Sequence, residues 1–223
     1  MKVLVGCESS GIIRDAFLAR GHDAISCDLL PTSRPGPHYQ GDVRDIWGNG
    51  FDLMIIHPDC TYVCGSGLHW NNRGRGWEKT EAALEFDREC LAAPIEKIAL
   101  ENPVGLIGTR IRKADQWIQP YEFGHDASKK TGLWLKNLPT LLPTAYVPPR
   151  MVCKVCKGTS TYDAAFGKGC THCGAESGLL LPRWGNQTDS GQNKLAPSAN
   201  RWQLRAETYP GWGDAMAEQW EML

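Results

Sequence analysis

Four short apolar runs, each with a residue able to do chemistry at or near its end, constrain this chain more than any other feature of it. They are KVLVGCE (residues 2–8), HDAISCDLL (22–30), FDLMIIHPD (51–59) and EKIALENP (96–103). Two amphipathic stretches lie between them. In IIRDAFLARG, Ile12, Ile13, Ala16 and Phe17 recur at helical spacing and Gly21 stops the helix; WEKTEAALEFDRECLAAP has helix-forming composition and ends before Pro94. Apolar strands alternating with helices imply βαβ units and a parallel sheet covered on both faces. Ligands of such sheets bind beyond the carboxyl ends of the strands. Glu8, Asp28, Cys60 and Glu101 all fall at those ends.

The length of 223 residues supports one sizeable core plus a small satellite module. No apolar run is long enough to cross a membrane, and the first residues turn polar too soon for a secretory signal, so a cytoplasmic protein is expected. The nine cysteines are an odd number, which favours free thiols and metal ligation over a disulfide framework. Net charge is only −1, but residues 128–205 carry eleven Lys and Arg against three Asp and Glu. That segment is therefore +8 and the remainder −9. The split suggests that the second half meets a polyanion, although a solvated basic face has the same composition.

Composition turns Pro-rich near residues 139–150 and then Cys-, Gly- and Lys-rich. The expected organisation is a catalytic domain over 1–150, an insert over 151–182, and a basic segment with a returning C-terminal helix over 183–223. Within the insert, CKVC and CTHC place Cys153, Cys156, Cys170 and Cys173 as two CxxC pairs separated by thirteen residues. Each two-residue gap lets both thiolates face one ion, and four thiolates close a tetrahedral structural zinc site. The insert would then present Lys154, Lys157, Lys168 and Arg183 to its partner. Lys194, Arg201 and Arg205 extend the basic set; Arg73 and Arg75 are further candidates for phosphate contact, equally readable as ordinary surface, and Lys129 and Lys130 read first as a solvated turn and second as phosphate contacts.

Cys60 remains, in HPDCTYVCGSG. A cysteine at a strand end is most often a small apolar residue. Here it follows a buried strand and enters a Gly- and Ser-bearing loop, with Glu101 at the end of another strand. A thiol beside a carboxylic acid suits attack on an electron-poor ring whose nitrogen is protonated. Metal ligation by Cys60 and Cys64 with His57 or His69 is the competing reading.

This order of motifs resembles the DNA (cytosine-5)-methyltransferases, especially short phage-type members. HPDC resembles the family's Pro-Pro-Cys motif, with Asp59 standing where the second Pro is usual, and ENP resembles its Glu-Asn-Val motif. The resemblance implies a Rossmann-like α/β methyltransferase sheet that uses S-adenosylmethionine. It implies that Cys60 is the nucleophile and that Glu101 holds the amino group and ring nitrogen of cytosine. CESSG (Cys7, Glu8, Ser9, Ser10, Gly11) would approach the cofactor together with Pro58, Asp28 would bind its ribose, and Asp42 of GDV its adenine. DNA would be the partner, with the basic insert in place of a large recognition region. Three alternatives stay open: modification of a free pyrimidine nucleotide or another nucleic acid, a non-catalytic DNA-binding relative, and a redox or metal protein using Cys60 and Cys64.

Overall fold

A computed structural model describes residues 1–157, 159–160, 169–176, 179–198 and 201–221. The chain forms two compact units. The first comprises Met1–Ile118, Lys130–Pro143 and Thr208–Leu223; the second comprises Gln119–Lys129 and Thr144–Glu207. Among the described residues no helix is long and apolar enough to cross a membrane.

The first unit is built on strands β1 (Lys2–Gly6), β2 (Asp23–Asp28), β3 (His38–Gln40), β4 (Leu53–Ile56), β5 (Lys97–Pro103), β6 (Gln116–Ile118) and β7 (Thr131–Lys136). They form one mixed sheet in the order β3-β2-β1-β4-β5-β7-β6. Pairing is parallel from β3 across to β5, and antiparallel where β7 lies between β5 and β6. All four residues of β4 and three of β1 (Val3, Leu4, Val5) are fully buried. Strands covered on both faces are apolar throughout rather than alternating, which is why these two runs were readable as central.

Helices α1 (Ile12–Ala19), α2 (Gly65–Leu68), α3 (Glu78–Ala92), α4 (Ile107–Arg110) and, near the end of the chain, α6 (Pro210–Trp220) complete this unit. Helix α1 buries Ile12, Ile13 and Phe17, the stripe its spacing predicts. It starts at Gly11, whose φ of +71° lies in the left-handed region that glycine enters without penalty. On α6, Gly213 faces α1: a Cβ there would lie in ordinary contact, 3.5 Å from that of Ala16. Trp212 and Trp220 are buried, and the Trp220 indole donates to the Pro139 carbonyl at 3.1 Å.

Strand β5 runs two residues beyond Glu101, its expected end, because Asn102 and Pro103 pair with Gly132 and Thr131 of β7. The purely parallel sheet expected from the helix–strand alternation also stops there.

The second unit holds a small antiparallel sheet, β10 (Leu180–Arg183), β8 (Arg150–Cys153) and β9 (Thr159–Ser160), in that order, and a short helix α5 (Arg201–Ala206). Its core contains Cys153, Cys170 and Leu180. Trp184, also buried, stacks on Tyr121 with ring centroids 4.1 Å apart.

Candidate active site and four-cysteine centre

The chain passes from β1 outward to β2 and β3, then crosses back to β4 on the other side of β1. Strand order reverses between β1 and β4, and in open α/β sheets that switch point opens the ligand crevice. Three loops bring the candidate residues to it.

The first follows β1. Cys7 has a positive φ of 55°. Burial, followed by the Asp28 carboxylate, pushes its thiol up, and burial does the same to Cys27, to about 12. Both are therefore neutral thiols. Glu8 is only 4% exposed. Its Oε1 accepts from the Ile13 amide at 2.8 Å and from the Ser10 hydroxyl at 3.0 Å, while Oε2 is buried with no partner among the described residues. Ser9 offers its carbonyl to the Ser33 amide at 2.8 Å. At the end of β2, Asp28 Oδ1 accepts from the Leu30 amide at 2.9 Å, the local turn that Asp forms readily. Asp42 caps the turn at Val43–Asp45 and is gripped by Arg44, whose guanidinium holds its carboxyl below the usual range. An adenine contact through Asp42 would have to share the carboxylate with Arg44.

The second loop follows β4. The His57 amide donates to the Gly6 carbonyl at 3.0 Å, continuing the β1–β4 ladder by one residue. Asp59 caps the turn Cys60–Tyr62, accepting from the Thr61 amide at 2.9 Å and the Thr61 hydroxyl at 2.6 Å. Capping gives a physical reason for an acid beside Cys60. Cys64 precedes α2 and its sulfur lies 3.1 Å from the Ser66 hydroxyl. A hydrogen bond from Cys60, then the Ser66 hydroxyl and the Gly67 and Ser66 amides, lower the Cys64 thiol to about 5. The same partnership raises the Cys60 thiol, with burial and the Asp59 and Glu101 carboxylates adding to it. The pair therefore rests with its negative charge on Cys64 and its proton on Cys60.

The third segment is the end of β5. Glu101 Oε2 lies 3.0 Å from His57 Nδ1, with both side chains 11% exposed. The next residue, Asn102, donates from Nδ2 to the Pro58 carbonyl at 3.0 Å. Two contacts thus tie β5 to the loop that carries Cys60.

Beyond Cys64 the chain is pinned from within. Asn71 donates to the Thr80 hydroxyl and Thr80 to the Tyr62 carbonyl, each at 2.8 Å. Arg75 donates to Asn71 Oδ1 and to the Gly67 carbonyl, with its guanidinium 4.9 Å from the centre of the Tyr62 ring. Its charge serves the loop, whereas Arg73, Trp70 and Trp77 are exposed.

In the second unit, Cys153, Cys156, Cys170 and Cys173 place their sulfurs within 4.8 Å of one another, close enough to hold one metal ion. The Cys153–Cys173 and Cys156–Cys170 separations are 3.7 Å. A tetrahedron with metal–sulfur bonds of about 2.3 Å has edges of about 3.8 Å. A disulfide needs about 2.05 Å. The amide of Val155 points at Cys153 Sγ from 3.3 Å, and the amides of Cys173 and His172 lower the Cys170 thiol to about 6. Among the described residues this is the one cluster of three or more such side chains with ligand geometry. His57, His69, Cys60 and Cys64 do not form a second.

Of the predicted basic contacts, Lys154, Lys157, Lys194 and Arg205 are exposed in the second unit. Arg183 donates to the carbonyls of Asp189 and Pro182, and Arg201 is half-buried. Lys129 is half-buried as well, whereas Lys130, in the first unit, is exposed with its ammonium 4.9 Å from the centre of the Trp117 ring. Lys168 lies outside the described residues. Sequence reasoning missed three residues of the site. His57 was considered only as a metal ligand, Cys64 only as a metal or redox partner of Cys60, and Asn102 was visible in ENP but not singled out.

No protein-family model matches the chain, and no curated protein matches it. Among solved structures one match is the crystal structure of a candidate DNA modification methyltransferase encoded within an E. coli prophage. Identity is 14%, the match covers 67% of this chain and 52% of that one, and the TM-score is 0.47. The chain spans about half the length of that structure.

Proposed function

We propose that the protein methylates carbon 5 of cytosine in DNA, using S-adenosylmethionine, with Cys60 as nucleophile and Glu101 as acid. The observation that carries this reading is the convergence of the ends of β4 and β5. The Glu101 carboxyl is tied to His57 and Asn102 to the Pro58 carbonyl, so the end of β5 is held against the loop that carries Cys60.

The residues around the switch point fit the cofactor. The orphaned Oε2 of Glu8 is a buried carboxylate oxygen awaiting a donor, and the ammonium of an amino-acid moiety would supply one. Asp28, half-exposed at the end of β2, has one carboxyl oxygen with no hydrogen-bond partner among the described residues, which suits a hydroxyl pair. S-adenosylmethionine, when bound, supplies the methyl group.

Cys60 sulfur bonds to carbon 6 of cytosine as its proton passes to the Cys64 thiolate. Glu101, protonated when the base enters, gives its proton to ring nitrogen 3, so the electrons of the opened double bond make carbon 5 nucleophilic. After carbon 5 is alkylated, loss of its proton to solvent base and departure of Cys60, which takes its proton back from Cys64, restore the ring, and nitrogen 3 returns its proton to Glu101. In duplex DNA the base must first leave the stack. Zinc in the four-cysteine centre would be structural, since four thiolates leave no open position. The exposed lysines around it favour phosphate contact.

Labelled S-adenosylmethionine incubated with DNA and the protein is expected to yield 5-methylcytosine on nucleoside analysis, with none from Cys60→Ser. The raised Cys60 thiol supports one other reading, DNA binding without catalysis. It predicts salt-sensitive DNA binding by both proteins and 5-methylcytosine from neither.

A further inference from the structure

His57 stands one residue before the three that align with Pro-Pro-Cys and makes no metal cluster among the described residues, yet both its backbone and its ring are held in the crevice. Its backbone is fixed to Gly6 and its ring to Glu101 Oε2 at 3.0 Å, across 44 residues of sequence. Its other ring nitrogen, Nε2, is buried and has no hydrogen-bond partner among the described residues. A buried polar nitrogen without a partner costs free energy, and its persistence at a functional crevice points to a ligand that completes it.

We propose that His57 is the positioning residue of Glu101, holding its carboxyl through Nδ1, and that Nε2 takes its partner from the nucleotide that enters the crevice. This rests on the reading of Glu101 as the acid that meets the substrate ring. Strand β5 fixes only the backbone of Glu101; the side chain has three further torsions, and an acid must present one oxygen to one ring atom. The contact with Nδ1 removes that freedom from one side, and the Asn102–Pro58 hydrogen bond locks the two backbones that carry the pair. The two ends of the ring thus differ: Nδ1 is committed to Glu101, whereas Nε2 is left for a partner from outside the described residues.

Three substitutions separate the two ends of the ring. The amide nitrogen of asparagine overlays Nδ1, that of glutamine reaches the place of Nε2, and alanine keeps neither. Adduct formation with DNA containing 5-fluorocytosine is the kinetic readout. His57→Ala and His57→Gln are expected to lose about 100-fold in rate, and His57→Asn to recover to within about tenfold of wild type with weaker DNA binding. Proton NMR supplies a second readout independent of activity. The His57–Glu101 contact should give a downfield resonance protected from water, absent from His57→Ala and from Glu101→Ala. Wild-type rates in all three His57 variants would overturn the proposal, as would absence of that resonance from the wild-type protein. A wild-type protein that forms no adduct but shows the resonance, with its loss in both variants, would keep the His57–Glu101 contact while removing the cytosine reading.

Discussion

The sulfur of Cys64 lies 3.1 Å from the hydroxyl of Ser66, and that contact helps decide which of two neighbouring cysteines carries charge at rest. Donors converge on Cys64, whereas Cys60 faces the carboxylates of Asp59 and Glu101. One thiolate is therefore expected to form well below the usual thiol range, read as the difference in thiolate ultraviolet absorbance between wild type and Cys64→Ala. In the variant, Cys60 loses the neighbour that contributes most to holding its proton, so its ionisation should move to lower pH. If Cys60 ionises at the same pH with and without Cys64, the two sulfurs are not coupled.

Asp87 gives the first unit a pH dependence of known sign. It lies on the buried stripe of α3 with Thr80, Leu84 and Cys90, and its Oδ2 has no partner among the described residues. Burial pushes its carboxyl up to about 7. The folded state then holds a proton that the unfolded state has released, so stability should fall as pH rises from about 4 to about 7. The expected slope approaches 1.4 kcal/mol per pH unit within that window. Asp87→Asn should remove the slope and be more stable than wild type at pH 8. Urea denaturation at a series of pH values measures it; parallel curves for the two proteins would refute the burial argument.

Arg14 is fully buried on α1, yet its guanidinium reaches Ser26, Thr32 and the carbonyls of Arg34, Pro35 and Pro37. It organises the loop between β2 and β3, and two glycines make room for it. A Cβ at Gly36 would meet the guanidinium at 2.7 Å, and one at Gly11 would come closer still. Arg14→Met should cost about 2 kcal/mol through lost charge-assisted hydrogen bonds. Gly36→Ala should destabilise through the clash. A stability unchanged by both would mean that the loop is held by other contacts.

The four-cysteine centre predicts one zinc per chain by elemental analysis. Removing it with a chelator, or substituting Cys170→Ser, should open the second unit to protease while leaving residues 1–118 resistant, because metal binding and local folding are one equilibrium in such small modules. Two disulfides in place of zinc would contradict the 3.7 Å sulfur separations.

These tests also mark what could be read in advance. The apolar runs of β1 and β4 and the 3.6-residue stripe of α1 are written locally, and so is the cysteine spacing. By contrast, β3 and β6 are three residues long, HYQ and QWI, and exist because a neighbouring strand is there to pair with them. The reversal at β7 follows from how the chain returns to the sheet, which no window of sequence displays. The same holds in the site. Cys60 and Glu101 stood out because each closes an apolar run, whereas His57 gains its meaning from a partner 44 residues away. Asp59 looked like a defect in a motif until its capping of the Cys60 turn was visible.

The most direct test of the central claim is a denaturant-resistant complex with DNA containing 5-fluorocytosine in varied contexts, in the presence of S-adenosylmethionine. Fluorine at carbon 5 cannot leave as a proton does, so the sulfur of a working nucleophile stays bonded to carbon 6. An adduct formed by the wild-type protein and absent from Cys60→Ser is the predicted result. No adduct from a protein that binds both DNA and S-adenosylmethionine would contradict it.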